Sequence, residues 1–139
     1  MNKYEVGTLL LRVFLGFTFF MHGLAKFQVG IENIAGWFTS IGLPSFLAYV
    51  VSFIELAGGI ALILGLGTRI VSALLALIMI GATFKVKLAA GFLGNGQGAG
   101  YELDLALLVM AIFILINGSK LYALDQIFFK SQNQNSKAA

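Results

Sequence analysis

Seven ionisable residues, Arg12, His22, Lys26, Glu55, Lys85, Glu102 and Asp104, interrupt or border runs of apolar residues, and these are the side chains able to do chemistry. A charged group set in hydrocarbon has to be paired, solvated through a cavity or used, so each marks a place for proton exchange or ligand binding. Glu55 is the sharpest position. It stands about ten residues into its apolar run, roughly 15 Å along a helix and so near a bilayer midplane. The following Ala57-Gly58-Gly59 clears space beside it.

Arg12, His22 and Lys26 fall within an arc of about 80° on a helix, with Gly16 and Gly23 on or next to it. Glycines admit a close neighbour, so this face looks into a bundle. Two readings stand open for each residue. Arg12 either snorkels or forms a structural ion pair, or it holds a ligand. His22 is either a core imidazole bonded to a carbonyl or to Glu55, or a donor and proton carrier facing a small ligand. Glu55 either pairs with Arg12, His22 or a lysine, or serves a ligand. Lys85 and Lys87 point to nearly opposite faces, and Gly81, one turn before Lys85, favours Lys85 as the inward one. Glu102 and Asp104 pose the same choice, and acids at a helix start are also stabilised by its free N–H groups. Read as a site, His22, Glu55, Lys85 and Glu102 exchange protons while Arg12, Lys26 and Asp104 hold a ligand.

Other chemistries are excluded by what the chain lacks. With no cysteine there is no disulfide, thiolate nucleophile, dithiol relay or c-type haem attachment. A single histidine and scattered acids leave no metal-ligand spacing and no bis-histidine haem site. A redox role therefore borrows its electron carrier, either a membrane quinone or the flavin of a partner. The Gly94 to Gly100 connection lacks the Gly-Lys-Ser/Thr ending of a phosphate loop and reads as a turn or outer lid. No basic stripe interleaved with aromatics points to nucleic acid.

The elements that position these residues follow from composition. At 59% hydrophobic and 11% charged, with mean hydropathy +0.93, the chain has too few charges to coat a globular surface, and lipid is the solvent that suits it. Apolar stretches at 6–21, 46–66, 70–84 and 105–116 predict an all-α integral membrane four-helix bundle, up-down-up-down, because a crossing needs about 20 residues. Helices are expected over 5–27, 45–66 and 70–90 and from 101–104 onward. Between the first two, residues 28–45 form a short amphipathic interfacial segment around Trp37. Residues 1–130 make one domain, and 131–139 a disordered cytoplasmic tail. No small-x-small cleavage site follows the first stretch, so it is retained as a helix. Lys3, Arg69, Lys120, Lys130 and Lys137 outnumber the cations at the other end, which places both termini in the cytoplasm of a multi-pass cell-membrane protein. A faint duplication relates Glu55-Leu56 and Gly67-Thr68-Arg69 to Glu102-Leu103 and Gly118-Ser119-Lys120.

Arg12-Val13-Phe14-Leu15-Gly16, His22-Gly23-Leu24-Ala25-Lys26-Phe27, Glu55-Leu56-Ala57-Gly58-Gly59, Gly65-Leu66-Gly67-Thr68-Arg69, Asn95-Gly96 and Gly100-Tyr101-Glu102-Leu103-Asp104 together resemble the DoxX family of small bacterial membrane proteins. The likeness runs over residues 4–124. It implies four transmembrane helices in the plasma membrane and similarity to members taken as oxidoreductases linked to catechol or quinone stress in Bacillus-like bacteria. It also implies a distant relation to the DoxD-like small subunit of thiosulfate:quinone oxidoreductase and association with detoxifying partner proteins.

Three functions are expected to compete. The first is a redox component acting on a quinone-like aromatic, whose oxygen is held by His22 or Lys85 while Glu55 or Glu102 exchanges the proton. The second is a non-enzymatic scaffold or binding subunit of a detoxification complex. The third is passage of a small solute or proton, which needs chains to associate as a homo-oligomer.

Overall fold

The computed structural model describes residues 2–96, 98–128 and 137. Helix α1 spans Lys3–Val29, α2 Ile31–Ser40, α3 Phe46–Leu64, α4 Thr68–Ala82 and α5 Glu102–Asn117. A π-helical turn, Thr83–Lys87, and a 3-10 turn, Leu88–Ala90, prolong α4, and a last helical turn covers 124–128. The described residues contain no strand, only one isolated bridge between Gly94 and Ala99. The tail expected at 131–139 lies outside the described residues, Lys137 excepted.

Local chemistry sets the ends. Asn2 caps α1 by accepting the Glu5 N–H at 2.7 Å. Gly30, at φ +107, breaks the helix, and α2 begins at the next residue. The expected interfacial segment is therefore a helix. Its Ala35 and Phe38 pack with Ala48 of α3, while Trp37 stays exposed. The loop after α4 is closed by Tyr101 N–H to Gly91 O at 3.2 Å and Glu102 N–H to Phe92 O at 3.0 Å, a pinned turn.

Among the described residues three helices are long and apolar enough to cross a membrane: Lys3–Val29, Phe46–Leu64 and Thr68–Ala90. Helix α5 has 16 residues, about 24 Å, which is short of the usual crossing length. Large apolar side chains such as Leu10, Phe14, Phe53, Leu77, Val109 and Ile116 face outward, the inverse of a soluble surface.

Close backbone approach joins α1 to α3. A Cβ on Gly16 would meet Gly59 O at 2.7 Å, and one on Gly23 would meet Leu56 N at 2.6 Å, so the two helices run antiparallel along a seam of glycine. Helix α5 lies antiparallel on α4, with Lys87 beside Asp104 at one end and Arg69 against Gly118 at the other. Leu15, Phe19, Leu62, Leu75, Met79 and Leu107 fill the space between the two pairs.

Candidate functional site

The buried face of α1 carries Thr8, Arg12, Leu15, Gly16, Phe19 and Gly23. Arg12 is 1% exposed. Its guanidinium donates to Ser119 O at 3.1 Å, Ser119 Oγ at 3.3 Å, Leu121 O at 3.0 Å and Tyr122 O at 3.2 Å. These acceptors belong to the chain leaving α5. Placed by sequence among the residues that hold a ligand, Arg12 here satisfies backbone carbonyls of the non-helical segment that follows α5.

Glu55 stands at the middle of α3 and is 3% exposed. Of the partners considered for it, Lys26 is the one it meets, Nζ to Oε2 at 2.6 Å. The Lys26 side chain is 23% exposed, so the pair reaches from the interior to the rim of the bundle. His22, one turn earlier on α1, is exposed, and its ring centroid lies 6.4 Å from that of Phe19. It does not touch Glu55. At the edge of the arc it shares with Lys26 and Arg12, about 80° from Arg12, it falls outside the buried stripe.

His22 and Lys26 meet instead in a groove of about 430 Å³, whose other walls are Met21, Ala25 and Val29 of α1 and Ile34 of α2. It is an open, mainly apolar surface with one imidazole and one ammonium on its border. Those two groups can donate hydrogen bonds into the groove, and Glu55 stands behind Lys26 as its counter-ion.

The second hairpin carries a matching pair. Lys87 Nζ lies 2.9 Å from Oδ1 of buried Asp104. The preference for Lys85 is thereby corrected: Lys85 is exposed, with Nζ near Gly42 in the link to α3. Gly81 misdirected that expectation because it faces open space, where an added Cβ would meet nothing within 4 Å. The buried stripe of α4 is Ser72, Leu75, Ala76, Met79 and then Thr83, and Lys87 continues it four residues on. Glu102 is exposed in the first turn of α5, where Asp104 is the inward acid.

Thus His22, Glu55, Lys85 and Glu102 do not gather into one cluster. Each antiparallel pair of helices is bridged by a lysine and an acid, Lys26 with Glu55 and Lys87 with Asp104. Asp125 is a residue that the sequence did not flag. Its carboxylate accepts the N–H groups of Gly67 at 2.8 Å and Thr68 at 3.2 Å, capping α4 from a distant segment, and its own N–H donates to Gly65 O at 3.1 Å. Among the described residues no three His, Asp or Glu side chains are grouped to hold a metal ion.

The sequence profile of the DoxX family matches residues 7–88, which include Arg12, His22, Lys26, Glu55 and Lys87. The chain belongs to the DoxX family. A Bacillus subtilis relative named putative oxidoreductase CatD is 50% identical over 140 residues, covering the whole of both chains. An uncharacterized membrane protein of Mycobacterium tuberculosis is 32% identical over 126 residues, 84% of this chain and 77% of the relative. An uncharacterized protein of Haemophilus influenzae is 35% identical over 121 residues, 86% of this chain and 89% of its own. No solved structure matches. In this DoxX chain the profile stops short of α5, so Asp104 completes its ion pair from outside the matched span.

Proposed function

We propose that this DoxX protein crosses the cell membrane four times with both ends in the cytoplasm, and is the membrane component of an oxidoreductase that binds a quinone- or catechol-like aromatic in the groove beside His22. The fourth crossing is supported by the way α5 stays beside α4 from Asp104 to Gly118, a rise of about 21 Å that joins the same two ends. One observation carries the chemical reading: His22 and Lys26 border a single apolar groove, with Glu55 held at 2.6 Å behind the lysine. The relative named as an oxidoreductase supports the reaction class.

A quinone takes two electrons and two protons to become a hydroquinone, and negative charge grows on its oxygen as the electrons arrive. Lys26 stabilises that charge from a fixed position, and His22 passes one proton to the oxygen beside it, while the second proton arrives with the two electrons from a partner's reduced flavin or quinol. Glu55 keeps Lys26 oriented. The electrons come from a flavin or quinol of a partner, since the chain has no cysteine and one histidine. The same lack favours a second reading, a binding subunit that presents the aromatic to a partner enzyme without turnover of its own.

The test is binding of a naphthoquinone and of catechol to protein in nanodiscs, read by calorimetry. His22→Ala is expected to weaken binding about tenfold, or ~1.4 kcal/mol, with the fold unchanged. Equal affinity in wild type and variant, or no binding to either, rejects the groove as the site. Turnover with a flavin reductant separates the enzyme from the binding subunit.

A further inference from the structure

The two triplets that the sequence repeats, Gly67-Thr68-Arg69 and Gly118-Ser119-Lys120, are 51 positions apart yet border one groove of about 570 Å³. The groove lies at the bundle end remote from the ion pair of Lys87 and Asp104. Arg69 lies across Gly118, where an added Cβ would meet Nε at 3.1 Å and Nη2 at 3.3 Å, so the glycine leaves room for the guanidinium. Arg69 and Lys120 are both exposed, and neither forms an ion pair among the described residues. Asp125 also lines the groove, but each of its oxygens already accepts an N–H from the start of α4. Two cations thus face one engaged carboxylate. On the same wall Thr68 is 4% exposed and its hydroxyl has no hydrogen-bond partner.

We propose that this groove binds a phosphate group, the headgroup phosphate of an anionic phospholipid. A guanidinium presents a planar fork that matches two phosphate oxygens, and a lysine adds a mobile point charge. Ile70, next to Arg69 and also lining the groove, is 71% exposed. Cations at the rim with a bare isoleucine beside them suit a lipid better than a free anion, because an acyl chain covers the isoleucine while the phosphate meets the charges. The site rests on the membrane placement of the helices and is independent of the quinone reading.

The experiment places the protein in neutral phosphatidylcholine nanodiscs and in detergent, and titrates phosphatidylglycerol or inorganic phosphate. Retained lipid is read by native mass spectrometry and the unfolding midpoint by intrinsic fluorescence. Wild type is expected to retain phosphatidylglycerol and gain midpoint temperature, with no comparable gain from inorganic phosphate. Arg69→Gln/Lys120→Gln is expected to lower retention at least fivefold, whereas Lys3→Gln, a cation at the same end, leaves it unchanged. Should the double variant not fold, the exposed Lys120→Gln alone is expected to lower retention about twofold to threefold. Unchanged retention in the folded variants overturns the site, and equal stabilisation by inorganic phosphate overturns the lipid as its occupant.

Discussion

The ammonium of Lys26 lies 2.6 Å from Oε2 of Glu55, joining the last turns of α1 to the middle of α3. The carboxylate is nearly closed off and the lysine reaches the rim, so the pair couples a buried acid to the groove beside His22.

Removing one partner leaves the other charge in a poor solvent. Glu55→Gln is expected to cost about 2–4 kcal/mol, and Lys26→Met/Glu55→Leu to restore most of it, because a matched apolar pair needs no counter-ion. Thermal unfolding in one detergent reads both, and a single variant as stable as wild type would contradict the pairing.

The seam between α1 and α3 depends on missing side chains. Gly16→Ala places a methyl 2.7 Å from Gly59 O and is expected to destabilise by about 1–3 kcal/mol. Gly81→Ala meets nothing and is expected to be neutral or slightly stabilising, since alanine favours helix. Equal effects at the two positions would show that the glycine seam does not govern packing.

Arg12 ties α1 to the segment that follows α5. Arg12→Leu strands the carbonyls of Leu121 and Tyr122 and is expected to cost about 3–5 kcal/mol. Arg12→Lys, with a shorter and single-headed cation, is expected to recover only part of that. Quinone affinity of the folded fraction stays at the wild-type value; a tenfold loss there would return Arg12 to the binding site.

Lys87→Gln leaves Asp104 unpaired and is expected to lower stability by about 2–4 kcal/mol. Lys85→Gln, at an exposed position, is expected to stay within about 0.5 kcal/mol of wild type. Parallel melts of the two variants decide which lysine faces inward.

The charges inside the apolar runs were legible as residues in need of partners, because hydrocarbon makes a charge conspicuous, whereas Asp125, outside those runs, was not. Arg12 and the glycines of the inward stripe of α1 follow from its spacing, although His22, expected there, is exposed, and both members of each alternative, Lys85 with Lys87 and Glu102 with Asp104, were visible as a choice. The partner of Glu55 was not. Arg12, His22 and Lys26 share one arc, and which of them reaches Glu55 depends on how far α1 slides along α3 and how it is rotated. The approach of Gly16 to Gly59 sets that slide. The partners of Arg12 were hidden for another reason: they are mostly backbone carbonyls, and every residue has one.

Partition into a membrane is a sum over each segment, so composition and the spacing of apolar runs determined an all-helical membrane chain, the positions of its helices and the residues under pressure to find partners. Partner choice depends on the relative height and rotation of separate helices. Tertiary packing therefore decided that Lys26 holds Glu55, that Lys87 holds Asp104, that Arg12 binds the segment after α5 and that His22 turns out to the groove. Contacts of a few ångströms between distant segments carry those decisions, and no local run of residues encodes them.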